Sequence, residues 1–420
     1  MRIYIRVGLS IVLAVTIPLL LALHFTFHGG DQPASLIAYP TDLQEILKSS
    51  TAPAIQPFHP PLHTEGRFIV DANNTRFKLI SVNWYGASDE LFVVGGLNIR
   101  NRKYIAQIIR QLGFNSVRLP YSDELVRKNP IVSSHLLSAN PDLVGLRALS
   151  IFAEVVNTLT DAGLAVIIND HITQARWCCD ANLCDGQWYN DYLGPLCPVR
   201  QTMEDWIQNL ETVMKPHVTN PLVVGVDLRN EVRGVADRFL WNSWVTAAEA
   251  AAERLHSLQP EWLMIVEGVS SANILSGIHD RPVRITQPHK LVYSAHVYGW
   301  SGWGTLRPYW KRTYASFAAD MDKHWAFLLD EALTPVWIGE FGAPNIPAQR
   351  DLNYWKNLIR YLGEKDIDFG YWAINPRKPH DNAEESYGLL NDDWVTPRYD
   401  YRLYDMWSIA ASRGDDGKEL

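Results

Sequence analysis

Eight short β-branched runs alternate with longer amphipathic stretches over roughly 300 residues, and this alternation predicts an α/β fold, a parallel (β/α)8 TIM barrel. Two further observations agree. Most of the runs end on polar or aromatic side chains, as barrel strands do at a functional rim. No glycine-rich phosphate loop follows the first run, which argues against a doubly wound open sheet.

The chain has 420 residues, 47% hydrophobic and 20% charged, enough to bury a large core and too apolar for global disorder. Its net charge of −8 excludes nucleic acid as the main partner, since duplex binding needs a basic face. The first segment, residues 1–6, carries Arg2 and Arg6. Val7 to Phe27 then runs for 21 residues with His24 as its sole ionisable group. At roughly 1.5 Å per residue such a helix reaches about 31 Å, the thickness of a bilayer core. The run exceeds the apolar region of a cleaved signal peptide, and "HFTFHGG" is a poor cleavage site, so an uncleaved signal anchor is preferred to a secreted form. By the positive-inside rule residues 1–6 stay cytosolic and everything after residue 28 faces the lumen or the outside. Residues 28–61, with six prolines, read as a stalk, and residues 62–420 as one folded domain, expected as a monomer. Within it "RFIVDANNTRFKLISVNW" reads as a short hairpin turning at Asn73-Asn74. Asn73-Asn74-Thr75 is also a glycosylation sequon, usable in the same oxidising compartment.

The runs follow in order: "KLISVNW", "NSVRLPY", "LAVIIND", "LVVGVDLRN", "LMIVEG", "LVYSAHVY", "TPVWIGEFG" and "DFGYWAIN". Helical patterns such as "NRKYIAQIIRQLG", "MEDWIQNLETVMKPH", "WVTAAEAAAERLHSL" and "DLNYWKNLIRYLGEK" separate them. The run ends carry Asn83, Arg118, Asn169-Asp170-His171, Asn230-Glu231, His296 and Tyr298, Glu340, and Trp372. Glu231 alone reads best as a solvated loop acid. Paired with Glu340 at the end of another run, it forms the two-carboxylate set that glycosidic cleavage requires. Two close carboxyls cannot both ionise easily, and a fixed cation such as Arg118 would keep one of them charged.

"DLRNE" and "IGEFG", with "SVRLPYS", "SAHVYGW" and "GYWAIN", resemble glycoside hydrolase family 5, the cellulase-like hydrolases, over about residues 62–410. "NDHITQARWCCD" and "YGLLNDDW" resemble its eukaryotic branch with a Trp-Cys-Cys loop after strand three. The resemblance implies a retaining hydrolase of a β-linked glucan or related polysaccharide, with Glu231 as acid/base and Glu340 as nucleophile. It implies that Arg118 and Tyr298 hold Glu340 and that His296 stands beside Glu231. Asn230 would bind the sugar 2-hydroxyl, with His171 and Trp372 lining the same subsite. It implies no cofactor and no metal. Val232 stands where many members have proline, and Asn169-Asp170 reverses the usual order, leaving the roles of those two residues open.

The four cysteines, Cys178, Cys179, Cys184 and Cys197, lie within one stretch of twenty residues. Adjacent Cys178 and Cys179 do not fit zinc spacings, so disulfides are expected, in any of three pairings. Of Trp177, Trp188, Trp300 and Trp303, one or two are expected to touch sugar. Glu267 is expected to have a minor or structural part, and Asp227 and Arg229 to form a barrel-internal ion pair. A glycosidase for glycolipid sugars and a non-cleaving carbohydrate-binding barrel are the alternatives to a glucanase.

Overall fold

The computed structural model describes residues 52–410, apart from 180–181, 235–236, 302–307 and 380. The expected anchor at 7–27, the tip before it and the stalk up to residue 51 lie outside the described residues. Among those described, no helix is long and apolar enough to cross a membrane.

All eight runs form parallel strands that close into one barrel. They are β1 (Ile80–Asn83), β2 (Ser116–Ser122), β3 (Ala165–Ile172), β4 (Val223–Asp227), β5 (Leu263–Glu267), β6 (Leu291–His296), β7 (Val336–Phe341) and β8 (Asp368–Tyr371). The longer helices between them are α1 (Arg102–Gln111), α2 (Ala148–Asp161), α3 (Met203–Met214), α4 (Asp237–Leu258) and α5 (Gln349–Lys365). Local sequence sets their starts. The Asn101 side chain accepts the Lys103 N–H at 3.0 Å at the start of α1, and Thr202 and Asp205 form a reciprocal capping box on α3.

Strand side chains alternate between two cores, as a period of two requires. Val166, Val226 and Met264 pack outward against helix residues such as Ile109, Leu159 and Trp206. Their neighbours Ala165, Ile167, Val224, Leu263 and Ile265 fill the barrel interior with Trp337. Ile69, Phe77 and Phe58 join that inner cluster.

The expected hairpin is displaced. Phe68–Val70 pairs backwards, antiparallel to His63–Glu65, around Gly66 at φ 54°. Across the Asn73-Asn74 turn a single bridge remains, Val70 to Arg76. The reason is that Leu79 onwards is drawn into the barrel ladder, leaving Phe68–Val70 to pair with the segment before it. Asn73 itself is exposed in the turn. Phe58, assigned to the stalk, stacks on Phe77 with ring centres 4.2 Å apart, so the last stalk residues belong to the barrel's lower end.

Candidate active site

Register shifts mark where the ladder meets the site. Ala295 pairs with Ile338, but the next pair is His296 with Glu340, so Gly339 is skipped. A bulge of this kind re-aims a side chain, and here it brings His296 and Glu340 level. Glycine is needed at the bulge. A Cβ on residue 339 would stand 2.8 Å from Ser294 Oγ and 3.1 Å from His296 Nε2.

Arg118 on β2 is fully buried and organises the rim. Its Nη1 donates to Glu340 Oε1 at 2.5 Å and to Asn83 Oδ1 at 3.0 Å. Its Nη2 donates to Asn230 Oδ1 at 2.8 Å and to Glu267 Oε1 at 3.0 Å, and its Nε to Asp227 Oδ2 at 2.8 Å. A planar guanidinium can serve five acceptors at fixed angles, which an ammonium cannot. Tyr298 Oη donates to the second oxygen of Glu340 at 2.9 Å. Both Glu340 oxygens are therefore held.

Glu231 follows β4 in the left-handed region, φ 48°, a conformation a non-glycine residue adopts at some cost. Asn230 N–H donates to the Asp170 carbonyl at 2.8 Å, and Glu231 N–H to Glu267 Oε2 at 2.7 Å. His296 Nδ1 lies 3.1 Å from Glu231 Oε1, 3.8 Å from Glu340 Oε2, and its Nε2 is 3.4 Å from Glu267. Oxygens of Glu231 and Glu340 come within 4.8 Å of each other.

Charge in this enclosure follows from burial and from neighbours. Burial pushes the Glu340 carboxyl above its ordinary range, against the pull of His296 and Arg118, while Glu231 and Glu267 push the same way as burial. Burial would lower the His296 value, but Glu267, Glu340 and Glu231 more than reverse this and hold the ring as imidazolium. Burial also opposes ionisation of Glu267, yet His296 and Arg118 bring its value down to about 2. Asp227 rises well above the carboxylate range through burial and Glu267 and keeps its proton. Two cations, Arg118 and His296, thus face Glu340 and Glu267. Ligand atoms of Glu231, His296 and Glu340 are near enough to one another for a cation, but doubly protonated His296 has no lone pair to give.

The remaining sequence candidates fall into place or out of it. His171 points inward, its Nδ1 2.9 Å from Asn169 Oδ1, and its ring lies parallel to Trp372 at 5.5 Å. Tyr85, which the sequence reading did not single out, stacks on Trp372 at 4.7 Å and 14°. Asn169 bonds Asp227 at 3.0 Å, whereas Asp170 faces outward, accepting Trp206 Nε1 at 2.7 Å. The expected Asp227–Arg229 pair does not form. β4 ends at Asp227, so strand alternation no longer governs Arg229, which pairs with Asp123 at 3.0 Å and Asp170 at 3.1 Å outside the barrel. Trp188 is buried in the outer core with Trp206 and Trp244. Trp177 packs edge-on to Tyr85 and Trp372 in the cleft cluster, and Trp303 lies outside the described residues. Trp300 is 48% exposed and stacks on Tyr298 at 4.5 Å. Cys184 bonds Cys197 and Cys178 bonds Cys179, selecting one of the three pairings. The Cys178 and Cys179 sulfurs stand 3.5 and 3.4 Å from Asn230 Nδ2.

Comparison with known proteins agrees with this geometry. The cellulase family model, glycosyl hydrolase family 5, matches residues 70–378. An endoglucanase of Paenibacillus polymyxa is 29% identical over 355 residues, covering 80% of this chain and 83% of that one. The catalytic domain of the major endoglucanase of Xanthomonas campestris superposes with a TM-score of 0.70 at 26% identity, over 83% of this chain and 100% of that one. A cellotetraose complex of the endocellulase of Pyrococcus horikoshii superposes with a TM-score of 0.68 at 25% identity, over 84% and 100% of the two chains.

Proposed function

This chain belongs to glycosyl hydrolase family 5, the cellulase family, and from that premise we propose that it cuts β-linked glucans within the chain through Glu340 and Glu231. It is a retaining hydrolase of O-glycosidic bonds. Glu340 attacks the anomeric carbon while Glu231 gives its proton to the departing oxygen, leaving a glycosyl ester on Glu340. Glu231, now a carboxylate, takes a proton from water as that water attacks the same carbon and frees Glu340. Arg118 and Tyr298 hold the Glu340 carboxylate before the first step and receive it again when the second step frees it.

The observation that carries the reading is the approach of the two carboxylates to within 4.8 Å. Retaining pairs stand about 5–5.5 Å apart, whereas inverting pairs need about 6.5–9.5 Å to admit a water. In this reading Asn230 meets the sugar 2-hydroxyl, and His171 and Trp372 line that subsite. Exposed Trp300 offers a flat face for a neighbouring sugar. Both carboxylates and their partners are present, which favours cleavage over mere binding. The relatives named as endoglucanases favour a glucan over a glycolipid.

The motif "WCCD" is our ground for placing the chain in the branch with a Trp-Cys-Cys loop. The Cys184–Cys197 bond and the exposed Asn73 sequon support a lumenal or extracellular barrel, held by the apolar run at 7–27 as a single-pass anchor. The test is incubation of the full chain with β-glucans, mannan, galactan and β-glucosyl lipid, beside Glu340→Gln. Mid-length oligosaccharides from one glucan, first formed as the β-anomer by proton NMR and absent with the variant, are expected. Binding without cleavage would replace the reading with a lectin-like one.

A further inference from the structure

Glu267 ends β5 and was expected to do little. It is fully buried, yet each of its oxygens is engaged at the reaction centre. Oε2 accepts the backbone N–H of Glu231 at 2.7 Å. Oε1 meets Arg118 Nη2 at 3.0 Å and His296 Nε2 at 3.4 Å. Those two cations are the ones that touch the paired carboxylates, Arg118 on Glu340 at 2.5 Å and His296 on Glu231 at 3.1 Å. Glu231 holds a left-handed backbone, φ 48°, which needs an anchor to persist. The Glu267 carboxylate supplies that anchor. It also gives His296 a counter-charge on the ring nitrogen remote from Glu231, so that both ring nitrogens carry protons and Nδ1–H faces Glu231.

We propose that Glu267 is a positioning residue for the reaction: it fixes the backbone of Glu231 and the charge of His296, and so sets the proton that Glu231 delivers and recovers. The proposal rests on the reading of Glu231 as the acid/base. Glu267 acts through other groups and does not meet the sugar. Its charge also faces both Arg118 and His296, so its removal leaves buried positive charge without one of its partners in a closed space.

The experiment is Glu267→Gln in the full chain, with two substrates compared. An unactivated β-glucan needs a proton on its leaving oxygen. A dinitrophenyl β-cellobioside does not, because the phenolate leaves unaided. Loss of a well-placed general acid costs about 10²–10⁴-fold, and a misplacement near 1 Å about 10²-fold. The expected result is a fall of about 100-fold in kcat on glucan with KM little changed, and a fall under about 5-fold in kcat/KM on the activated substrate. Azide attacks the glycosyl ester without needing a base. It displaces Glu340 from the anomeric carbon and forms a glycosyl azide, so turnover of the dinitrophenyl substrate by the variant should rise with azide.

Equal losses on both substrates, with no azide product, would overturn the proposal in favour of a purely structural role, and so would undiminished activity on glucan. Glu267→Asp keeps the charge but withdraws it from the Glu231 amide. It should show the same selectivity in milder form, and it carries the test if Glu267→Gln does not fold, as thermal unfolding reports. Glu231→Ala is run in parallel. If that variant itself shows no leaving-group dependence and no azide product, the acid/base reading fails and takes the proposal with it. If it does while Glu267→Gln does not, the proposal alone fails.

Discussion

Tyr298→Phe isolates one contact to the reacting carboxylate. The phenol donates to Glu340 Oε2 at 2.9 Å, while Oε1 stays on Arg118 at 2.5 Å. Phenylalanine keeps the ring, and with it the parallel contact to Trp300 at 4.5 Å, so the cleft wall is unchanged. What goes is one hydrogen bond to a charged group, worth about 1.5–3 kcal/mol. At about 1.36 kcal/mol per tenfold, kcat should fall by about 10- to 150-fold. Losing a donor to the ionised form raises the Glu340 value further, so the acid limb of kcat/KM moves to higher pH. KM should hold, because no group that would face the sugar has been removed. The assay is steady-state hydrolysis of soluble glucan from pH 4 to 8, with wild type alongside. A fall below about 3-fold, a change confined to KM, or an acid limb that stays put would refute the reasoning.

Gly339→Ala places a methyl 3.1 Å from His296 Nε2 and 2.8 Å from Ser294 Oγ. Overpacking of this kind costs about 1–3 kcal/mol, and displacing His296 from Glu231 should lower kcat as well; denaturant titration and glucan hydrolysis check both. Replacing Cys184 and Cys197 by serine opens a loop of sequence separation 13 and should cost about 3 kcal/mol of unfolding free energy, read by denaturant titration beside wild type. Glu267 is held near 2 in the fold, below the roughly 4.3 of an unfolded glutamate, so its contribution is present above 4.3 and lost as pH falls through 2. Thermal unfolding between pH 4.5 and 2 should therefore steepen in wild type relative to Glu267→Gln, and parallel slopes would count against that charge assignment.

The barrel was legible because each strand is buried on both faces and so reads as a continuous β-branched run. The functional rim was legible because polar residues at the ends of such runs have no packing reason to be there. What the sequence hid were relations between strands. Asp227 and Arg229 share a spacing, but the strand stops between them, and each finds partners supplied by other elements. Trp188 sits in a loop by sequence and in the outer core by structure, because a long loop can fold its aromatic residue back between α3 and α4. Glu267 looked ordinary for a similar reason. Its importance lies in an amide from the turn after β4 and two cations from β2 and β6, none of them near it in the chain. The hairpin before β1 was misplaced because its apolar pattern fits two pairings, and barrel closure decides between them.

The skipped residue between Ala295–Ile338 and His296–Glu340 has a consequence for how the site can change. A side chain is exchanged one at a time, and its neighbours can relax around it. A residue count cannot be relaxed in that way. Deleting one position from β7 would preserve nearly all its composition and yet turn Glu340 to the opposite face, since side chains alternate with a period of two. The strand that carries Glu340 should therefore accept many volume-conserving substitutions on its outer face and no single-residue insertion or deletion. Its variability should run through spelling while its length stays fixed.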